Sequence, residues 1–264
     1  MYREERHQAI VTLLQSHGRV SVADLSDRFG VSEVTIRVDL QALADQGLVV
    51  RTHGGAILAG YGIQELSLLR RRQRQVAEKA RIAATAAELV GDGEAIFLDS
   101  SSTTLAILPH IRQRFDLTVV TNSLVVAQEL LAFPKITVVM PGGTLHHDTV
   151  SLIDTGGLKI VERYNISKGF FGAHGLTLED GFTDVSEAEA RLKRSIVGMC
   201  RQVITLLDAT KWGRAGVASF AEAKDADVLI ADAAPEEMVS QMRALGVEVN
   251  CVGWSSRGKG YEAI

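Results

Sequence analysis

The apolar positions of the first 58 residues recur at helical spacing and then give way to two short strand-like runs. Ile10, Leu13 and Leu14 give residues 4–15 one buried stripe, which Gly18, Arg19 and Val20 interrupt. Ser21 has the hydroxyl of a helix N-cap, an acceptor for a free first-turn amide. Val22, Leu25 and Phe29 then face inward along a short helix that ends at Phe29. Gly30 and Val31 make a tight turn, Ser32 caps a third helix, and Ile36, Leu40 and Leu43 recur on one face of it. Gly47 is expected just past its end, where a left-handed backbone costs glycine little. Residues 48–51 and 56–58 pair as strands around His53, Gly54 and Gly55. Helix, glycine turn, helix and hairpin in this order make a winged helix-turn-helix.

From residue 76 onward helical segments alternate with continuous runs of Val, Ile and Leu. Helices are expected over 76–90, 103–114, 123–132, 186–201 and 235–245. Strands are expected over 95–99, 117–122, 136–140, 169–173, 203–208, 228–232 and 247–253. Runs that are apolar throughout suit strands buried on both faces, and the alternation implies a largely parallel, Rossmann-like sheet flanked by helices. Residues 59–75 read as a linker, Ala59-Gly60-Tyr61-Gly62 followed by an arginine run. The expected fold is therefore α/β, with a winged helix-turn-helix at 1–58, a linker at 59–75 and an α/β domain at 76–264.

Charge modifies this picture. Residues 1–60 hold six arginines against seven acids, a sum of minus one rather than the basic excess usual for a DNA-binding domain. Arg70, Arg71, Arg72, Arg74, Lys79 and Arg81 offset this against only Glu65 and Glu78, as a solvated surface or as phosphate contacts. The first residues contain no apolar signal core, and no window of about twenty apolar residues marks a membrane span. Cys200 and Cys251 lie far apart in apolar stretches and read as reduced thiols of a cytoplasmic protein.

Two places carry candidate chemistry. The outward face of the third helix holds Glu33, Thr35, Arg37, Val38 and Gln41. Threonine, arginine and glutamine can reach base edges or phosphates, and valine can pack on a thymine methyl. Small protein-docking modules share this outline, so the pattern alone leaves that use open. In the second domain, ligands of parallel sheets bind at the carboxyl ends of strands near the point where strand order reverses. The first strand ends at Asp99 and runs into Ser100, Ser101, Ser102, Thr103 and Thr104 at the start of a helix. Hydroxyls and free amides there form either an anion site suited to phosphate or a generous N-cap. The second strand ends in Thr121-Asn122-Ser123 and the third in Pro141-Gly142-Gly143-Thr144, where glycines permit close backbone approach. The three strand ends together point to a small, oxygen-rich, phosphorylated ligand. Metal binding is not expected at His146-His147-Asp148, since adjacent histidines diverge in an extended segment and no third spaced ligand follows. His174 lines the pocket or satisfies a backbone group, and Trp212 reads as packing.

The order SVADLSDRFGVSEVTIRVDLQALADQGLVVRTHGGA resembles the DNA-binding domain of the DeoR family of bacterial sugar-metabolism regulators. Thr35, Ile36, Arg37, Asp39 and Leu40 match its recognition helix, and Arg51, His53, Gly54, Gly55 and Ala56 match its wing. Val38 departs from it, since the family usually has Arg or Lys there. The pieces LDSSSTT, VVTNSL, VMPGGTL, FFGAHGLTLEDGFT, SEAEARLKRSIV and LLDATKWG resemble the sensor domain of the same family. That domain is similar in fold to ribose-5-phosphate isomerase and CoA-transferase-like sheets. The resemblance implies DNA contacts from Ser32, Thr35, Arg37, Val38, Gln41, Arg51, His53 and Gly54. It implies a sugar-phosphate effector on Ser100 to Thr104 and Gly142-Gly143, with Asp99 and Asn122 on sugar hydroxyls. Lys211 would pair with a phosphate or carboxylate, and Asp184 and Glu187 are weaker candidates. Ser100-Ser101-Ser102 departs from the glycine that many members carry in this loop.

The expected function is a DNA-binding transcriptional regulator, a repressor of a sugar operon, without catalytic residues, metal or cofactor. Its effector would shift the population between two arrangements that place the recognition helices in or out of register with two half-sites, which requires a homo-oligomer, dimer or tetramer. The alternative is a sugar-phosphate isomerase with an appended domain, using Asp184, Glu187 or Lys211 as acid and base groups.

Overall fold

The computed structural model describes residues 3–17, 19–45, 48–52, 54–58, 68–147 and 149–253. The break at Gly18, the helix-ending role of Gly47, the wing-tip role of His53, Asp148 and residues 59–67 fall outside the described residues. The chain divides into two compact units, Met1–Leu66 and Ser67–Ile264.

The first unit runs α1 (Arg3–His17), β1 (Arg19–Ser21), α2 (Val22–Phe29), α3 (Glu33–Asp45), β2 (Val49–Thr52) and β3 (Gly55–Leu58). Both expected caps form: Ser21 Oγ accepts from Asp24 N at 3.0 Å and Ser32 Oγ from Thr35 N at 3.2 Å. Gly30, at φ 64°, ends α2. Ile10, Leu14, Leu25, Ile36, Leu40 and Leu43 meet in the centre, all buried. Arg19 and Val20, expected only to break the chain, form a strand. β1 pairs with β3 and β3 with β2, all antiparallel, so the wing has three strands. Gly55 makes this possible, because a Cβ there would sit 1.9 Å from Val20 O.

The second unit begins inside the expected linker. Residues Leu68–Gln73 form α4, anchored by the buried Leu68. There follow α5 (Val76–Glu88), β4 (Ala95–Leu98), α6 (Ser102–Leu105), α7 (Leu108–Ile111), β5 (Leu117–Thr121), α8 (Leu124–Leu130) and β6 (Ile136–Val139). A small hairpin, β7 (Leu145–His146) and β8 (Ser151–Leu152), precedes α9 (Leu158–Val161) and β9 (Lys168–Gly172). Then come β10 (Gly175–Thr177), β11 (Gly181–Asp184), α10 (Glu187–Val197), β12 (Gln202–Leu207), β13 (Ala218–Ala221), β14 (Val228–Ala231), α11 (Glu236–Ala244) and β15 (Glu248–Cys251). The helix expected over 103–114 is two single turns, because Pro109 has no N–H and its ring opposes the carbonyl four residues back.

All seven expected strands join one parallel sheet, in the order β15-β14-β12-β9-β4-β5-β6. Alternate residues enter opposite cores. Phe97 and Phe171 pack with Phe182, Leu192 and Phe220 on one face. Ile96, Leu98 and Phe170 pack with Ile82, Leu105 and Leu108 on the other. The chain lays down β4, β5 and β6 outward, returns to β9 beside β4, and continues the opposite way. The order therefore reverses between β4 and β9, the kind of position outside whose carboxyl ends open parallel sheets bind ligands. A second sheet, β10-β11-β13, is antiparallel and was not legible as strands.

Candidate functional site

On the first unit, α3 buries Ile36, Asp39, Leu40 and Leu43 and turns Ser32, Glu33, Val34, Arg37, Val38 and Gln41 outward. Thr35 is half-buried and its hydroxyl bonds to that of Ser32 at 3.0 Å, so both take part in the cap. Arg37 Nη2 donates to Glu33 Oε2 at 2.7 Å. Gln41 Nε2 donates to Asp45 Oδ1 at 2.7 Å, and Gln41 Oε1 accepts from Arg51 Nη1 at 2.7 Å. The wing strand β2 is thus tied to the helix through two of the predicted DNA-contacting residues. Gly54 is exposed at the turn between β2 and β3, and its carbonyl accepts from Val22 N at 2.8 Å. Val34, which sequence reasoning passed over, is 67 % exposed beside Val38 at 55 %.

Asp39 belongs to the scaffold. It is 1 % exposed and accepts from Arg6 Nε at 2.6 Å and His7 Nε2 at 2.9 Å, which pins α1 to α3. Burial alone would raise its pKa, but the Arg6 and His7 hydrogen bonds outweigh burial and hold it below the usual carboxylate range.

On the second unit, the residues that follow β4 are organised by Asp99. Its Oδ1 accepts from Ser101 N at 2.9 Å and Thr104 Oγ1 at 2.7 Å. Its Oδ2 accepts from Gly172 N at 2.9 Å and lies 2.7 Å from Lys193 Nζ. Those four partners fill a carboxylate, and Asp99 is wholly buried. Asp99 clasps β4 to β9 across the switch point. Ser101 and Thr104 belong to the same scaffold, with Ser101 Oγ capping Thr104 N at 3.1 Å. Ser100 Oγ donates to Glu189 Oε2 at 3.2 Å. No described residue bonds to the hydroxyls of Ser102 and Thr103. A helix of one turn also has little dipole, so it offers less to an anion than the continuous helix expected from sequence.

Lys193 is the buried cation of the site, 2.7 Å from both Asp99 Oδ2 and Asp184 Oδ2 and donating to Gly172 O at 2.9 Å. Burial disfavours its charge, but Asp184, Asp99 and Glu189 more than compensate and keep it protonated. Burial likewise would raise Asp184, and Lys193 holds it below its ordinary range. Glu187, the other weak candidate, forms an exposed pair with Arg191 at 2.8 Å.

A second set of cations gathers around Lys79, at the start of α5 and 6 % exposed. Its ammonium donates to Arg71 O and, at 2.7 Å, to Arg74 O, closing the end of α4. Burial pushes its pKa down to about 8; Asp208 works against that shift, while the charges of Lys211, Arg71 and Arg74 add to it. Lys211 is brought there by the turn after β12, which Asp208 caps through Thr210 N at 3.1 Å. Arg71 also bears on Asp184, and α4 packs on α6. Arg71, Arg74 and Lys79, cations of the expected linker and first helix, therefore lie within electrostatic reach of one another and of Lys211.

The β7–β8 hairpin closes another side. Asn122 O accepts from Leu152 N at 2.8 Å, and Asn122 Nδ2 donates to Leu152 O at 3.2 Å. Asn122 Oδ1 is buried and accepts no hydrogen bond among the described residues. Gly142 and Gly143 form the turn that launches the hairpin. They adopt φ 75° and 123°, and a Cβ on Gly143 would lie 2.7 Å from Asp154 Cβ. A proton-ordered chain crosses the hairpin. With Ser151 Oγ donating to Glu189, Thr149 donates to Ser151 at 2.7 Å and His146 Nδ1 donates to Thr149 at 3.1 Å. His146 is left with Nε2 as a hydrogen-bond acceptor whenever the ring is neutral. His147 is exposed, and no group of potential metal ligands occurs among the described residues. His174 N donates to Thr183 O at 2.8 Å, and Trp212 Nε1 donates to Ala233 O at 3.0 Å.

Residues 6–60 match the DeoR-like helix-turn-helix domain, and residues 74–233 match the DeoR C terminal sensor domain. The chain is 36 % identical over 232 residues to the HTH-type transcriptional regulator GolR of Listeria innocua, covering 88 % of this chain and 91 % of that one. It is 31 % identical over 242 residues to the glycerol-3-phosphate regulon repressor of Escherichia coli, covering 92 % and 96 %. Ribose 5-phosphate isomerase A of Methanocaldococcus jannaschii covers 51 % of this chain and 53 % of its own, at 16 % identity and a TM-score of 0.39, a likeness too low to carry an argument. The isomerase alternative falls with these relatives, which are regulators over nearly their whole length. The chain belongs to the DeoR family of DNA-binding transcriptional regulators.

Proposed function

We propose that the protein is a cytoplasmic repressor of sugar-metabolism genes whose effector is a monophosphorylated sugar bound at the β4/β9 switch point. The phosphate lies among Lys79, Lys211 and Arg71, beside the hydroxyls of Ser102 and Thr103. Sugar hydroxyls donate to Asn122 Oδ1 and His146 Nε2. The reading rests chiefly on Lys79, buried against the carbonyls of Arg71 and Arg74 and within reach of the charges of Lys211, Arg71 and Arg74. Cations gathered in one place favour a dianion, and a desolvated pair of this kind is worth far more than one on the surface. The names of relatives such as the glycerol-3-phosphate regulon repressor agree with a phosphorylated effector. The protein acts as a homo-oligomer, dimer or tetramer, reading two half-sites with α3 and the wing, through Ser32, Arg37, Val38, Gln41, Arg51 and His53.

Calorimetric titration with triose, pentose and hexose monophosphates tests the pocket. One of them binds, and its unphosphorylated parent binds at least about 30-fold more weakly, the loss expected when one partner of a desolvated charge pair is removed. Lys211→Ala reproduces that loss. Equal affinity for the sugar and its phosphate would refute the phosphate assignment.

A further inference from the structure

We propose that Val34 and Val38 form an apolar stripe on α3 that selects thymine methyl groups, so that each operator half-site carries T·A pairs at two positions facing this helix. The two valines are 67 % and 55 % exposed. They are four residues apart and so lie one above the other on the helix surface. Folding gives no reason for them to be there: they are exposed, and β-branched residues are weaker helix formers than the long polar residues suited to a solvated face. Their polar neighbours are already engaged. Arg37 holds Glu33, and Gln41 holds both Asp45 and Arg51, each at 2.7 Å. To read a base, Arg37 or Gln41 must exchange an internal partner for an external one, which reduces its net gain. The valines exchange only water. In the major groove the apolar group offered to them is the C5-methyl of thymine. Glu33, next to Val34 at the head of the stripe, further disfavours strong phosphate binding there, which places more of the discrimination on shape and methyl contact.

The test uses the full chain and duplexes selected by it from a randomised pool. Deoxyuridine, which differs from thymidine only by the missing methyl, replaces thymidine one position at a time. At two positions per half-site the replacement weakens binding about fourfold, the contribution of one buried methyl group. Val38→Ala removes the methyl sensitivity at one of these positions and leaves it at the other. Val38→Arg shifts the selected pair at that position from T·A to G·C, since arginine pairs with guanine O6 and N7. Both variants are surface changes and leave the melting temperature essentially unaltered. Unchanged affinity after replacing every thymidine, or methyl sensitivity that persists at both positions in Val38→Ala, overturns the proposal. So does a loss of self-association in Val38→Ala with no change in the preference between thymidine and deoxyuridine.

Discussion

Lys79 keeps an ammonium group 6 % exposed while Lys211, Arg71 and Arg74 bear on it, and burial leads the shift that brings its pKa to about 8. A phosphate placed beside it favours the charged form and raises that pKa. Binding therefore takes up protons near pH 8, and affinity falls as pH rises through and above that value. Calorimetry in two buffers of different ionisation enthalpy reads the proton count directly; no uptake at that pH would move the phosphate away from Lys79. His146 offers a second residue-level check that needs no ligand. The chain through Thr149 and Ser151 to Glu189 requires a proton on Nδ1. Ring nitrogen shifts should show the Nδ1–H tautomer in the wild type and its loss in Thr149→Val. An Nε2–H ring in the wild type contradicts that proton order. Little of this was legible beforehand. Ser100 to Thr104 and Asn122 stood out because they end strands. Lys79, Lys193 and Glu189 did not, because a charged residue in an amphipathic helix reads as solvated until the fold shows what covers it.

At the scale of elements, Asp39 joins α1 to α3 through Arg6 and His7. Asp39→Ala leaves the buried Arg6 without its carboxylate and should destabilise the first unit by about 3–5 kcal/mol, as removal of one member of a buried pair does. Denaturant unfolding together with DNA titration checks this: operator binding is lost while effector binding to the second unit persists. The native Asp39 carboxyl titrates below its unfolded value. Its contribution is therefore complete above the unfolded pKa and disappears as pH falls through the native one. The five inner strands of the parallel sheet could be read from sequence because they are largely apolar runs buried on both faces. The edge strands β6 and β15, with Thr137 and Glu248 exposed, could be read from their Val and Ile residues. The β10-β11-β13 sheet could not: its strands are three or four residues long, and Gly175 and Gly181 dilute their pattern. The β7–β8 hairpin has two residues per strand, too few to show alternation. Helix α4 was concealed by arginines 70–72, whose charge suggested a linker while Leu68 supplied its anchor.

For the whole molecule, the DeoR-family assignment fixes DNA binding, and the proposed effector site has a metabolite act on it through the cations around Lys79. An effector changes DNA affinity only by binding one state of the protein better than another, and a tenfold change in operator affinity needs a preference of about 1.4 kcal/mol. Linkage makes the effect reciprocal, so operator DNA must change affinity for the sugar phosphate by the same factor. The decisive measurement is a titration of the full chain on its own upstream DNA, at fixed salt, with and without a panel of sugar monophosphates. One member of the panel should shift operator affinity about tenfold or more, its unphosphorylated parent should not, and Lys211→Ala should bind the operator normally while losing the shift. Tight operator binding that no phosphate alters, or a shift that survives in Lys211→Ala, would contradict the effector site placed among Lys79, Lys211 and Arg71.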